Sequence, residues 1–156
     1  MGIGPSTKET SLHYFRDPLL EVIEQDTDLD LLGVMVVGTP QDNTEKYFVG
    51  ERAAVWAEAM RADGVVFSCD GWGNSHVDYA NTFEQLGSRN IPTVGITFQG
   101  TQAKFVVTNQ YMDTIVDINK SKEGIETEVV GENNLISSDA RKAVALLKLK
   151  MRKMGR

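Results

Sequence analysis

The chain has one cysteine, four prolines and no apolar run long enough to cross a bilayer. A single cysteine, Cys69, cannot close an internal disulfide, and the residues around it lack zinc-ligand spacing. Neither a disulfide framework nor a structural metal therefore holds this fold together. A membrane helix needs roughly 18 consecutive apolar residues, and no stretch approaches that. The N-terminus, MGIGPSTKETSLHYF, has no basic region followed by an apolar one, which argues against a signal peptide. The expected location is the cytoplasm, with no membrane partner. Repeats, low-complexity tracts and linker-like stretches are also missing. The 156 residues suit a single domain, 1–156, that buries about two-thirds of its unfolded surface. With 41% hydrophobic and 24% charged residues the composition is that of a globular protein.

Charge is unevenly spread. The net charge is −6, yet residues 139–156 carry +6, from Arg141, Lys142, Lys148, Lys150, Arg152, Lys153 and Arg156 against Asp139, which leaves −12 on the rest. A basic tail of this kind could grip phosphates. We prefer a solvated helix whose last turns carry cations suited to its dipole, because Val144, Leu147, Met151 and Met154 form one apolar stripe. The acidic remainder also argues against nucleic acid as a partner.

What is present alternates between two periods. Asp17-Pro18 is an N-cap followed by proline, opening a helix over roughly 18–26. LLGVMVVG, residues 31–38, predicts a strand covered on both faces. Residues 43–62 place Val49, Ala53, Trp56, Ala57 and Met60 on one helical face. VVFSC, residues 65–69, predicts a second buried strand, and 75–86 a helix buried through Tyr79, Ala80, Phe83 and Leu86. PTVGITF, residues 92–98, predicts a third strand, and Ser138 is the expected cap of a last helix over 139–152. AKFVVTNQYMDTIVDIN reads either as a helix or as a strand with a short helix. Strands alternating with helices imply right-handed crossovers. The expected fold is a three-layer, doubly wound α/β domain with a mainly parallel sheet.

Ligands in such sheets bind outside the carboxyl ends of the strands. Cys69 ends what reads as a central strand, so DGWGNS lies in that crevice. Glycines allow backbone conformations and close approaches that side chains forbid. Ser75 with Asp78 resembles a capping box. The helix that follows would turn its unpaired N–H groups toward the site, favouring a carboxylate or phosphate. The candidate substrate-binding residues are Asp70, Gly71, Trp72, Gly73, Asn74, Ser75 and His76. Two readings stay open for Cys69, a small buried hydrophobe or a thiolate activated by the helix terminus and His76. Trp72 can equally cover the core edge, His76 can be a surface residue, and His13 has no constellation around it. The third glycine of a dinucleotide fingerprint is absent, and ITFQG supplies no acid for a ribose, which disfavours NAD.

The stretches TKETSLHYFRDPLLEVI, GVMVVGTPQDN, DGWGNSHVDYANTFEQLGSRNIPTVGITFQGTQAKFVV, YMDTIVDINKSKEGIETEVVGENN and DARKAVALLKLKM together resemble the C-terminal part of the D-proline reductase proprotein family. They are similar, more distantly, to the substrate-binding subunit of the glycine/sarcosine/betaine reductases. The resemblance implies a component of an anaerobic enzyme that reductively opens D-proline to 5-aminovalerate. In that family a pyruvoyl group binds the substrate amine, and a selenocysteine on a separate subunit attacks the activated carbon. The implied partners are other reductase subunits, a small amino acid and further copies in an oligomer. The family's pyruvoyl group forms by self-cleavage ahead of a cysteine, at a point the resemblance puts upstream of residue 1. Cleavage at Ser68-Cys69 would cut a core strand, and Ser11 would release only ten residues. The expectation is therefore an accessory subunit without its own pyruvoyl group, with an amino-acid-binding or assembly protein on the same fold as the alternative. Cys69 is the one candidate catalytic residue.

Overall fold

In the computed structural model, which describes residues 17–69, 73–101, 104–124 and 134–156, three parallel strands form the sheet. They are β1 (Val65–Ser68), β2 (Thr93–Thr97) and β3 (Ile115–Asp117), side by side in sequence order. Val65 pairs with Thr93 and Ser68 with Ile96, while Gly95 pairs with Ile115 and Thr97 with Asp117. β2, the middle strand, is buried along its whole length. Parallel strands need covered faces, and helices lie on both sides.

One face carries α1 (Pro18–Glu24) and α4 (Ser137–Lys153). Val94, Ile96, Phe98, Val116 and Ile118 meet Leu19, Ala140, Ala143, Val144 and Leu147 in one apolar core. Asp17 starts α1 by accepting from Leu19 N at 2.9 Å, with Pro18 at the first helical position. α4 begins at Ile136 rather than at Ser138, because the Asp139 carboxylate reaches back to Ile136 N at 3.2 Å. Serine at 138 is already inside the first turn, so its hydroxyl is past the position a cap requires. Lys148 pairs with Asp26 and Asp28, Lys150 with Asp113 and Arg156 with Asp63. Three of the seven basic residues of the tail are thus matched by acids of the same chain.

The other face carries α3 (Asn74–Ser88), with α2 (Asn43–Ala59) packed along it. Tyr79, Ala80, Phe83 and Leu86 of α3 are buried, as their spacing predicts. α2 differs from its sequence reading. Trp56 and Met60 face solvent, and the buried positions are Lys46, Gly50, Ala54 and Ala57. This narrow stripe of small residues lets α2 lie close to α3, so that even a Cβ at Gly50 would strike Asn81. At Gly50 no larger side chain fits that seam.

Residues 31–38 form no strand. They lack regular structure, and Leu32, Val34 and Val36 are more than half exposed. Beside β1, where a crossover through α2 would place such a strand, the sheet ends at an edge among the described residues. β1 is consequently half-buried and an edge strand, not the central strand its sequence suggested. Of the AKFVVTNQYMDTIVDIN stretch only β3 is regular among the described residues.

Candidate functional site

α3 runs back from the carboxyl ends of the strands, so its first turns sit above them. Gly73 holds the N-cap position with φ 62° and ψ −103°, a conformation that L side chains rarely adopt. No side chain caps the first turn. The capping box expected from Ser75 and Asp78 does not form, because glycine, not serine, occupies the N-cap. Ser75 instead lies inside the helix, its Oγ 3.6 Å from Cys69 Sγ. Asn74 Nδ2 donates to Gln41 Oε1 at 3.1 Å and ties this turn to the loop ahead of α2. Asp70, Gly71 and Trp72 lie outside the described residues.

Period-two alternation decides which strand residues look at α3. Val94, Ile96, Phe98, Val116 and Ile118 serve the opposite core. Phe67, Cys69 and Ile115 pack with Tyr79 and Phe83. A Cβ on Gly95 would fall 2.1 Å from Tyr79 Oη and 2.7 Å from Phe83 Cζ, so only glycine lets α3 settle this closely. Tyr79 then donates to the Ile96 carbonyl at 3.1 Å. Burial pushes the Tyr79 phenol well above its ordinary value of 10, with lesser contributions from Cys69 and Asp117. Thr97 and Asp117 share this face, and Gln99 and Asn119 continue the alternation beyond the strand ends.

Cys69 is buried, and its N–H completes the ladder by bonding to the Ile96 carbonyl at 3.0 Å. Its thiol donates toward the Ser75 carbonyl at 3.9 Å. His76 is 1% exposed and stacks obliquely on Phe105, ring centres 4.9 Å apart. Its Nδ1 accepts from Val106 N at 3.4 Å, which assigns the proton of the neutral ring to Nε2. Burial lowers its pKa from 6.5, so the ring is neutral at pH 7. Nε2 has no hydrogen-bond partner among the described residues. The surface reading of His76 is thereby excluded.

Thr97 Oγ1 and Gln99 Oε1 are likewise buried and unpartnered, as is Asn119 Nδ2. Buried polar groups are overwhelmingly paired in folded proteins. Beside them the loops after β2 and β3 are stitched together. Asp117 accepts from Gly100 N at 2.7 Å and from Asn119 N at 2.9 Å, and Thr101 N donates to the Gly124 carbonyl at 2.8 Å. A second polar feature separates α2 from α3, where Lys46 Nζ meets Asp78 Oδ2 at 2.5 Å with both residues buried. Sequence reading missed Lys46, Thr97, Gln99, Asp117 and Asn119. The signal for the last four is there, as T-x-Q and D-x-N continue the period of two just where each strand ends.

The arrangement offers a neutral imidazole N–H, a hydroxyl and amide groups under an uncapped helix start. That combination can orient a small polar molecule and favours an anionic group at the helix end. No group of three or more His, Cys, Asp or Glu residues could hold a metal among the described residues. No helix there is long and apolar enough to cross a membrane.

Comparison with known proteins supplies the lineage. The D-proline reductase proprotein PrdA of Acetoanaerobium sticklandii is 47% identical over 146 residues, covering 94% of this chain. The chain spans 23% of that protein's length and matches a C-terminal part of it. No solved structure matches. The family model described as glycine/sarcosine/betaine reductase component B subunits matches residues 2–141, and the chain belongs to that family.

Proposed function

We propose that the chain is a component of a D-proline reductase-type system, acting as an accessory subunit that holds the amino-acid substrate rather than cleaving it alone. The observation that carries this reading is the 47% identity spread over 94% of the chain, which makes it a counterpart of one part of a larger reductase proprotein. The α3 terminus above the strand ends suits a carboxylate, which fits a protein that handles amino acids. In this reading Gly73, Asn74, Ser75 and His76 line the site, and the other residues expected there from the sequence, Asp70, Gly71 and Trp72, lie outside the described residues.

A pyruvoyl group would supply an electron sink for the substrate amine. The described residues do not suit its formation here. Making it at Cys69 requires scission of the Ser68–Cys69 bond, and Cys69 N is tied to the Ile96 carbonyl in the sheet. A cut there would detach β1 from α3. Cys69 is therefore read as packing the floor of the site rather than as the source of that group.

The test is isolation of the tagged 156-residue chain from cells using D-proline. Expected are co-elution with the reductase subunits, an intact mass near the full 17.2 kDa and no reaction with phenylhydrazine. Deleting the gene should lower D-proline reduction in extracts. Absence of association together with unchanged reduction would refute the reading, and a shortened, phenylhydrazine-reactive chain would make it catalytic.

A further inference from the structure

Three side chains at the carboxyl end of the sheet are more than nine-tenths buried and each has a polar atom that no described residue meets. They are His76 Nε2, Thr97 Oγ1 and Gln99 Oε1, with exposures of 1%, 3% and 5%. Leaving such an atom dry and unpaired in a folded protein costs about 1–3 kcal/mol, so three in one region need a reason. Strand alternation and helix spacing put them on facing elements. Tyr79 Oη reaches the Ile96 carbonyl, and His76 is one helical turn nearer the strand ends than Tyr79. After Gly95, Thr97 is the next residue that β2 turns to this face, in register with Asp117, and Gln99 follows two residues beyond it.

The chemistry around them is divided. On the α3 side stand the Nε2–H donor of His76 and the positive end of the helix dipole. On the strand side stand Gln99 Oε1, an acceptor, and the Asp117 carboxylate, which keeps lone pairs beyond its bonds to Gly100 N and Asn119 N. A ligand that meets both sides carries an anionic group at one end and an N–H donor a few bonds away. Thr97 Oγ1 between them can donate or accept.

We propose that Thr97 and Gln99, at the end of β2, are the specificity-determining residues of this site. Gln99 receives the substrate's amine N–H, while His76 across from them donates to its carboxylate. This rests on the reading that the subunit holds an amino acid, and it adds which residues recognise the amine end. The α3 terminus at Gly73–His76 alone would read only the anion and would not distinguish an amino acid from a simple carboxylate.

The experiment uses shape-conserving variants, Thr97→Val and Gln99→Met, in the full 156-residue chain, alone and in its isolated complex. D-Proline binding is measured by calorimetry, with acetate as the probe that has no amine, and thermal unfolding is followed in parallel. Thr97→Val removes a hydroxyl oxygen, and Gln99→Met an amide oxygen with its NH2, where the oxygen in each case meets no described residue. The melting temperature should therefore hold or rise, while Kd for D-proline rises at least tenfold and acetate binding stays within twofold. A merely structural role gives a lower melting temperature in both variants, and that result overturns the proposal. Wild-type protein that binds no D-proline in either form, or variants that bind it unchanged, also overturns it. If the chain fails to co-elute with reductase subunits but the variants behave as expected, the assembly reading falls and this site stands.

Discussion

Lys46 and Asp78 join α2 to α3 across a seam closed to water, with Lys46 1% and Asp78 8% exposed. Lys46→Met keeps the length and apolar stem of the side chain but leaves the Asp78 carboxylate buried with no cation. Asp78 Oδ1 already lacks a partner among the described residues, so the loss falls on a carboxylate with little else to hold its charge. Removing one partner of a buried pair typically costs about 3–5 kcal/mol. With a urea m-value of about 2 kcal/mol/M, the unfolding midpoint should fall by about 2 M. Asp78→Leu should cost as much, by stranding the ammonium. The double variant Lys46→Met/Asp78→Leu removes both charges and should recover most of that loss, because a hydrophobic pair of similar volume is often neutral or better. Urea titrations of the four proteins, followed by tryptophan fluorescence, close the cycle. A single variant that loses less than about 1 kcal/mol, or a double variant whose loss equals the sum of the singles, would show that the pair is wet and uncoupled.

Leu147 lies in the core beneath α4, its Cδ1 only 2.8 Å from where a Cβ on Gly64 would be, and Leu147→Ala should cost about 2–5 kcal/mol by denaturant titration; a loss below about 0.5 kcal/mol would make the helix peripheral. His76 has a folded pKa below its unfolded value of about 6.5, so the unfolded chain takes up the proton first as pH falls. The stability that neutral His76 contributes is complete above about pH 6.5 and is lost as pH drops through the lower folded pKa. Comparing urea midpoints at pH 7.5 and 5.5, His76→Gln should show a smaller loss than the parent, and identical losses would refute the assignment.

How much was legible follows from what each signal depends on. The α3 face of Tyr79, Ala80, Phe83 and Leu86 is a local periodicity, and so are the apolar runs of β1 and β2; all stand in the structure where the spacing puts them. An apolar run states only that it prefers cover. For residues 31–38 the described fold supplies no cover, so the strand read from LLGVMVVG is absent. In α2 the large residues Trp56 and Met60 outweighed Gly50 and Ala54 in the pattern, although close helix packing selects the small ones. Lys46 reads as an ordinary surface lysine until Asp78, 32 residues later in the chain, is brought beside it. No local pattern carries that information.

The candidate site divides in the same way. Gly73 and the helix after it were legible because a turn and a helix start are local events, and the φ of 62° bears out the need for glycine there. The half of the candidate site formed by the helix terminus therefore stands out in the sequence. The other half is assembled by the sheet. Thr97 and Asp117 become neighbours only when β2 pairs with β3, and the helix that carries His76 settles on the strand only because Gly95 lets Tyr79 and Phe83 lie against it. A chain selected for stability alone would fill Thr97 and Gln99 with apolar residues, since both sit where the surrounding positions are buried. Retaining polar atoms there without partners is a departure from local consistency of the kind that marks functional positions. It is this mismatch between burial and satisfaction, visible only once the sheet is formed, on which the proposed two-ended site rests.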